Sequence, residues 1–299
     1  DGSTDTTPKI LARFAGDPRI RVHGQRNSGV AAALNRGIQL CRAPLVARLD
    51  SDDLALPDRL RDQKRFLDEH PEIGMVGGQA EVINDSGCRI AEAQYPCGDA
   101  AIRKQMEKTT PFVHSAVTLR SAVLQTVGGY RPSFNGAEDL DLWLRIAERT
   151  KLANLPEPVV SYRLHRHQCS ATKIELQAIR VLAARESARR RAAGLSDPLP
   201  SMALFDEAEL LSLEVPREEI DQSVVDSAVW MAKSADRAGY RDTAEELFAV
   251  AVERARGSTR KGALRSQILR AKAQRRREQG QLLRAGALAI SATLFAAHS

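Results

Sequence analysis

Apolar and polar positions alternate in short blocks through the first half of the chain. Val30, Ala33, Leu34, Gly37, Ile38 and Cys41 recur at three- and four-residue spacing, which predicts a helix capped by Asn27 or Ser28 and ended by Pro44. The apolar run from Leu45 to Leu49, broken by Arg48, predicts a buried strand that stops at Asp50-Ser51-Asp52-Asp53. Pro57 suits the first position of a following helix, with Leu56, Leu60 and Leu67 as its apolar stripe. Met75 to Ile83 reads as a strand, Asn84-Asp85-Ser86-Gly87 as a turn and Cys88 to Ala91 as the returning strand. Val113 to Leu119 predicts another strand, and Val159 to Leu164 a last short one. Leu140, Trp143, Leu144 and Ala147 share one face of a helix beginning near Glu138. Such alternation predicts a layered α/β domain with a mostly parallel sheet.

From Lys173 the strand signals vanish. Helices are predicted near 174–193, 204–213, 217–238, 241–255 and 259–297. Ala228, Ala232, Ala235 and Ala238, then Ala244, Leu247, Phe248 and Ala251, form small helix-pairing faces around an Ala-x-x-Gly-Tyr turn. They are reminiscent of tetratricopeptide units, but too few repeat to build a solenoid. The organisation expected is therefore an α/β domain over 1–173 and a helical region over 174–299. The apolar stretch from Ala285 to Ala297 is interrupted by Ser291 and Thr293 and reads as a packed or interfacial helix, not a spanning one.

Composition adds three constraints. With aromatic residues at 4%, the core must rest on Leu, Val, Ile and Ala. Cys41, Cys88, Cys97 and Cys169 form no C-x-x-C pair, which fits a reduced, cytoplasmic setting. The net charge of +6 is concentrated late: Arg254, Arg256, Arg260, Lys261, Arg265, Arg270, Lys272, Arg275, Arg276, Arg277 and Arg284 stand with Glu278 as the acid of that stretch. Three readings stand for this face: a solvated helix surface, docking to an anionic membrane surface, or nucleic-acid binding. The third is disfavoured, because no nucleic-acid motif accompanies it and aromatic stacking residues are scarce.

The chemistry centres on Asp50, Asp52 and Asp53. In open α/β sheets, ligands bind beyond the carboxyl ends of strands. Crowded carboxylates repel one another unless a cation or bonded donors offset the charge. Hard oxygen ligands suit Mg²⁺ or Mn²⁺, which share their coordination with water and substrate phosphates. The alternative is that these acids cap the next helix and its turn.

Around this cluster lie Asp1-Gly2-Ser3-Thr4-Asp5, Arg26-Asn27-Ser28-Gly29 leading to Asn35-Arg36-Gly37, Gly128-Gly129-Tyr130, Glu138-Asp139 with Trp143, and Tyr162-Arg163-Leu164-His165. In this order and spacing the set resembles the inverting family 2 glycosyltransferases of GT-A fold, over residues 1 to 173. The resemblance implies a Rossmann-like α/β sheet. It also implies an apolar strand ahead of the Asp-Gly-Ser motif. The sequence begins at that motif, so the expectation is a sheet lacking its first strand.

The resemblance further implies residue roles. Asp50 lies near the ribose or nucleotide, and Asp52 ligates the metal; Asp53 is either a ligand or a cap. Asp1 contacts the donor base or ribose, though a terminal residue is expected to fray. Arg26 and Asn35 line the nucleotide side. Leu34 stands where the family more often has Arg, which weakens the carry-over of a phosphate contact there. Asp139 is the general base, with Glu138 beside it; its place at a helix start is expected to depress its pKa. The alternative for Glu138 and Asp139 is a pair of first-turn helix acids. His165 binds the donor diphosphate or the metal, or is a polar loop residue. His114 lines the acceptor side or packs in the core.

The function so implied is metal-dependent transfer of a sugar, with inversion, from a nucleoside diphosphate donor to a hydroxyl acceptor. The partners implied are a nucleotide-sugar and a glycan or lipid-linked acceptor. The setting is surface polysaccharide or glycolipid synthesis in the cytoplasm or on the inner face of the cell membrane. Two other classes remain: a non-catalytic remnant serving as scaffold or membrane-binding module, and a metal-dependent nucleotide hydrolase in which water replaces the acceptor.

Overall fold

The structure is a computed structural model that describes residues 1–165, 171–201, 206–275 and 277. Cys169 and the apolar stretch 285–297 lie outside these residues, as does the helix expected beyond 277. By contact density the chain divides into two units. The first comprises Asp1–Arg163 with Arg180–Leu210, the second Leu164–Ile179 with Leu211–Ser299.

The first unit begins with α1 (Thr7–Ala12), which has no buried residue, and α2 (Val30–Leu40). The chain then forms β1 (Leu45–Ala47), β2 (Leu54–Ala55), α3 (Arg59–Glu69), the long β3 (Ile73–Ile83) and β4 (Arg89–Ala93). It continues through α4 (Asp99–Met106), β5 (Thr118–Arg120), α5 (Ser121–Val127), α6 (Glu138–Ala147) and β6 (Lys151–Arg163). The α/β expectation holds, and the sheet runs β1-β5-β3-β6-β2, with β4 hydrogen-bonded to β3.

The expected mostly parallel pairing does not hold among the described strands. β3 and β6 pair in parallel, but β1–β5, β2–β6, β3–β4 and β3–β5 are antiparallel. The connections explain this. Asn84 Oδ1 accepts the amides of Ser86 and Cys88 and closes a tight hairpin, which forces β4 back along β3. Only the long crossover through α4, α5 and α6 returns the chain parallel to β3. The core of the sheet includes Leu67, Val76, Ala80, Ala116, Val159 and Val160.

Two helices bury faces that apolar periodicity does not mark. In α2 Ala31 is the buried residue, and Val30 is exposed. In α3 the buried face is Arg59, Gln63 and Leu67, whereas Leu60 is 61% exposed. In α3 the reason is hydrogen bonding. Arg59 donates to the carbonyls of Arg48 (2.8 Å) and Val117 (3.2 Å). Gln63 donates to that of Ala116 (2.6 Å) and accepts from the Thr118 hydroxyl (2.6 Å). These side chains satisfy backbone groups where β1 ends and β5 begins. α3 begins at Arg59, after Asp58 in a left-handed conformation (φ 66°), so Pro57 precedes the helix instead of opening it.

The helix α7 (Ala171–Ala192) is followed by α8 (Glu207–Ser212). In the second unit α9 (Arg217–Arg237) and α10 (Arg241–Gly257) form the expected hairpin, with Ala228, Ala232 and Ala235 buried on one and Ala244, Leu247, Phe248 and Ala251 on the other. Helix continues over 261–275, burying Leu264, Ile268 and Ala271. No described helix is long and apolar enough to cross a membrane.

Candidate active site

The segment between β1 and β2 brings its carboxylates together. One oxygen each from Asp50, Asp52 and Asp53 lies within 4.8 Å of the others. Each is held differently. Arg48, itself buried, forms a two-pronged ion pair with Asp50. The Ser115 hydroxyl donates to Asp50 Oδ2 (3.1 Å) and accepts the Asp50 amide (3.0 Å). Asp53 is buried; its Oδ1 accepts the Arg163 amide at the end of β6 (2.7 Å), while its Oδ2 has no hydrogen-bond partner. The Arg163 guanidinium donates to the Asp52 carbonyl (2.8 Å). Burial pushes the Asp53 carboxyl up; the nearby Ser115 hydroxyl and the Arg163 amide oppose this, and the charges of Asp52 and Asp50 add to the push.

A buried carboxylate oxygen without a donor, beside two further carboxylates, is costly unless a proton or a cation joins it. These hard oxygen donors fit a divalent ion such as Mg²⁺ or Mn²⁺.

Asp139 occupies the first turn of α6. Its Oδ1 accepts the Leu140 amide (2.7 Å), and the neighbouring Glu138 is buried and accepts the Gly136 amide. The expected depression of its pKa does not occur. Burial, then the adjacent Glu138, raise the Asp139 carboxyl to about 7, outweighing the backbone amide and Arg48. Loss of hydration exceeds what a helix start returns.

Tyr130 and His114 join these groups. His114 Nε2 lies 2.7 Å from the Tyr130 hydroxyl, and its ring meets Trp143 edge-on at 5.5 Å. Burial, then Arg48, hold the His114 imidazole well below its usual range, so it is neutral. The Tyr130 hydroxyl is pushed up by burial; Arg48 opposes this, and Asp139, Glu138 and Asp50 add to it. Asp139 and the Asp50 cluster thus share one electrostatic neighbourhood around Arg48 and Tyr130.

Asn35 has a structural duty. Its amide donates to the Tyr130 carbonyl and accepts the Tyr130 amide, both at 2.8 Å. Arg145, paired with the fully buried Asp141 at 2.6 Å, donates to the carbonyls of Val127 (2.6 Å) and Gly129 (2.7 Å). Together they mount the Gly128-Gly129-Tyr130 turn.

Asp1 is anchored. Its carboxylate accepts from Gln25 (2.7 Å) and from the amides of Ser28 (3.0 Å) and Gly29 (3.1 Å), at the start of α2. Gly29 is the N-cap residue there, so neither Asn27 nor Ser28 caps the helix; the Asp1 carboxylate instead holds the amides just ahead of it. Arg26 is exposed beside it. His165 falls in the second unit and is half-buried.

Arg48, Ser115 and Tyr130 were not singled out from the sequence as functional residues. Arg48 carried a signal, being a cation inside an apolar run. Ser115 and Tyr130 lie 65 and 95 residues from their partners Asp50 and Asn35, a distance that no local pattern spans.

The site thus combines a carboxylate cluster at a strand end with an acid raised to about 7, on a mixed α/β sheet. Residues 1–128 match the family described as Glycosyl transferase family 2. The chain is 33% identical over 152 residues to the O-antigen biosynthesis glycosyltransferase WbnJ of Escherichia coli, covering 50% of this chain and 59% of that protein. It is 31% identical over 166 residues to the amylovoran biosynthesis glycosyltransferase AmsE of Erwinia amylovora, covering 54% and 62%. Among solved structures, residues 1–349 of S. aureus TarS in complex with UDP-GlcNAc align at 15% identity and a TM-score of 0.46, over 82% of this chain and 80% of that one. The chain spans 54 to 62% of the length of these curated relatives and of a third, from Bacillus subtilis. The likeness to glycosyltransferases is thus carried by the first half of the chain, with the family match over residues 1–128.

Proposed function

We propose that this protein is a metal-dependent inverting glycosyltransferase that moves a sugar from a nucleoside diphosphate to the hydroxyl of a glycan or lipid-linked acceptor. The observation that carries this reading is the convergence of the Asp50–Asp52–Asp53 carboxylates and the near-neutral Asp139 around Arg48 and Tyr130. The family match over residues 1–128 supports it. The O-antigen and amylovoran assignments of two relatives support a setting in surface polysaccharide synthesis, in the cytoplasm or on the inner face of the membrane.

Asp52 and Asp53 are the ligands for Mg²⁺ or Mn²⁺, and Asp50, fixed by Arg48 and Ser115, orients the loop towards the nucleotide. The bound cation supplies positive charge against the departing diphosphate. The acceptor oxygen bonds to the anomeric carbon as the bond to the diphosphate breaks on the opposite face. Asp139 takes the acceptor proton, a step worth roughly 10²–10⁴-fold. Its raised pKa makes it a stronger base than an ordinary carboxylate. His114, neutral and hydrogen-bonded to Tyr130, lines the acceptor side. Asp1 and Arg26 flank the nucleotide, and Asn35 acts through Tyr130. His165 is kept as a diphosphate contact on the strength of the Tyr-Arg-x-His pattern alone.

Calorimetric titration with UDP and then GDP, with and without Mn²⁺, tests the donor site. Binding that requires Mn²⁺ and disappears in Asp52→Ala is the expected result. Binding that is indifferent to both metal and Asp52 would overturn the metal assignment.

A further inference from the structure

The helical unit carries an exposed apolar and basic surface of its own. Its two most exposed large apolar side chains among the described residues are Trp230 on α9, 59% exposed, and Leu269 in the 261–275 helix, 65% exposed. The other large aromatic side chain on this helix pair, Phe248, is fully buried. An indole turned to solvent on a helix whose opposite face is packed needs a reason.

The hydrogen bonds along the seam place it. Asp226 accepts from Gln267 (2.6 Å), and Lys233 donates to Gln274 (3.2 Å). Trp230 lies one turn after Asp226 and one before Lys233. Arg270 lies one turn after Gln267 and one before Gln274. Trp230 and Arg270 therefore occupy the same intervening turn. On the outward arc of the 261–275 helix, Leu269 sits one turn from Arg265 and beside Arg270, with Arg277 two turns on; all are exposed. No acidic residue occurs between Glu253 and Arg277. The cations nearer the core are differently employed: Arg275 pairs with Asp236 (2.9 Å), and both Arg275 and Lys272 lie against the Phe248 ring.

We propose that Trp230 and Leu269, ringed by Arg265, Arg270, Arg277 and Lys233, form a docking surface for an anionic lipid bilayer. Tryptophan settles at the headgroup level, where its ring is apolar and its N–H stays wet. Clustered Arg and Lys are drawn to anionic headgroups. A helix presenting both lies in the interface plane. Charge complementarity selects the bilayer: an apolar protein groove would match Trp230 and Leu269 but not the cations. A soluble polyanion would match the cations but give Leu269 nothing.

The chain contains its own probe. Of its two tryptophans, Trp143 is fully buried, so solvent-like emission arises from Trp230. Adding phosphatidylcholine vesicles containing phosphatidylglycerol to the full chain shifts that emission to the blue and carries the protein down with the vesicles. Pure phosphatidylcholine vesicles do neither. Trp230→Ala weakens partitioning by about tenfold or more. Arg265→Ala, Arg270→Ala and Arg277→Ala each weaken it by about fivefold, with unchanged circular dichroism because all these positions are exposed. Added salt reverses the binding. A folded chain whose emission ignores the anionic vesicles overturns the proposal. So does equal binding to neutral vesicles, or a blue shift produced by heparin or an oligonucleotide but not by vesicles.

Discussion

Asp139 titrates where enzymes work. Burial and Glu138 lift its carboxyl to about 7, so the fraction able to accept a proton rises through neutrality. A kcat/KM profile should accordingly climb as pH rises through about 7, and Asp139→Asn should lose roughly 10²–10⁴ in rate at every pH. The same shift affects stability. The folded value lies above the unfolded one. Between the ordinary carboxylate range and about 7, the folded chain keeps a proton that the unfolded chain has lost. Stability therefore falls as pH rises across that window, and the whole deficit is present above it. Asp139→Asn removes the titration: its Tm should match the wild type near pH 4 and exceed it at pH 8, measured by differential scanning calorimetry. A base that stabilised its own fold would give the reverse.

At the scale of elements, α3 separates apolar patterning from burial. Leu60→Asp should leave the melting temperature nearly unchanged, because Leu60 faces solvent. Gln63→Leu, which looks conservative by volume, strands the Ala116 carbonyl and the Thr118 hydroxyl and should cost about 1–3 kcal/mol in denaturant titration. The Gly128-Gly129-Tyr130 turn makes a second case. Gly129 has φ 72°, and a Cβ there would meet Asn35 Oδ1 at 2.6 Å. Gly129→Ala should destabilise by more than about 1 kcal/mol and displace Tyr130 from His114, lowering activity further than stability alone predicts. These two elements also show where the chain was legible. The Asp50–Asp53 cluster, the helix from Glu138 and the hairpin at Asn84 are local, since neighbouring residues suffice to make each. The buried face of α3, the Arg48–Ser115 support and the Asn35 clamp answer to carbonyls supplied by remote strands, so periodicity pointed to Leu60 and resemblance to donor binding at Asn35. Asp139 was misjudged for the same reason: a helix start is visible in sequence, but the loss of water around it is not.

At the scale of the whole molecule, the first unit carries the carboxylates, and Trp143 is buried within it. Ligand binding to a folded site stabilises by about 2.7 kcal/mol at a hundredfold excess over Kd. In Trp230→Phe, where Trp143 is the remaining indole, Mn²⁺ with nucleotide should raise the fluorescence-detected melting temperature, and Asp52→Ala should abolish the rise. The sheet of this unit has one further consequence. Its parallel pairing joins Ile73–Ile83 to Lys151–Arg163, and the amide that holds Asp53 arrives 110 residues after it. Contacts so distant along the chain close late and slowly. A ribosome therefore releases the Asp-Ser-Asp-Asp motif well before it releases the strand that supports it. A nascent chain arrested short of residue 163 has every acidic residue of the cluster but lacks the amide that fixes Asp53. Maturation of the site is timed by the last strand, not by the motif.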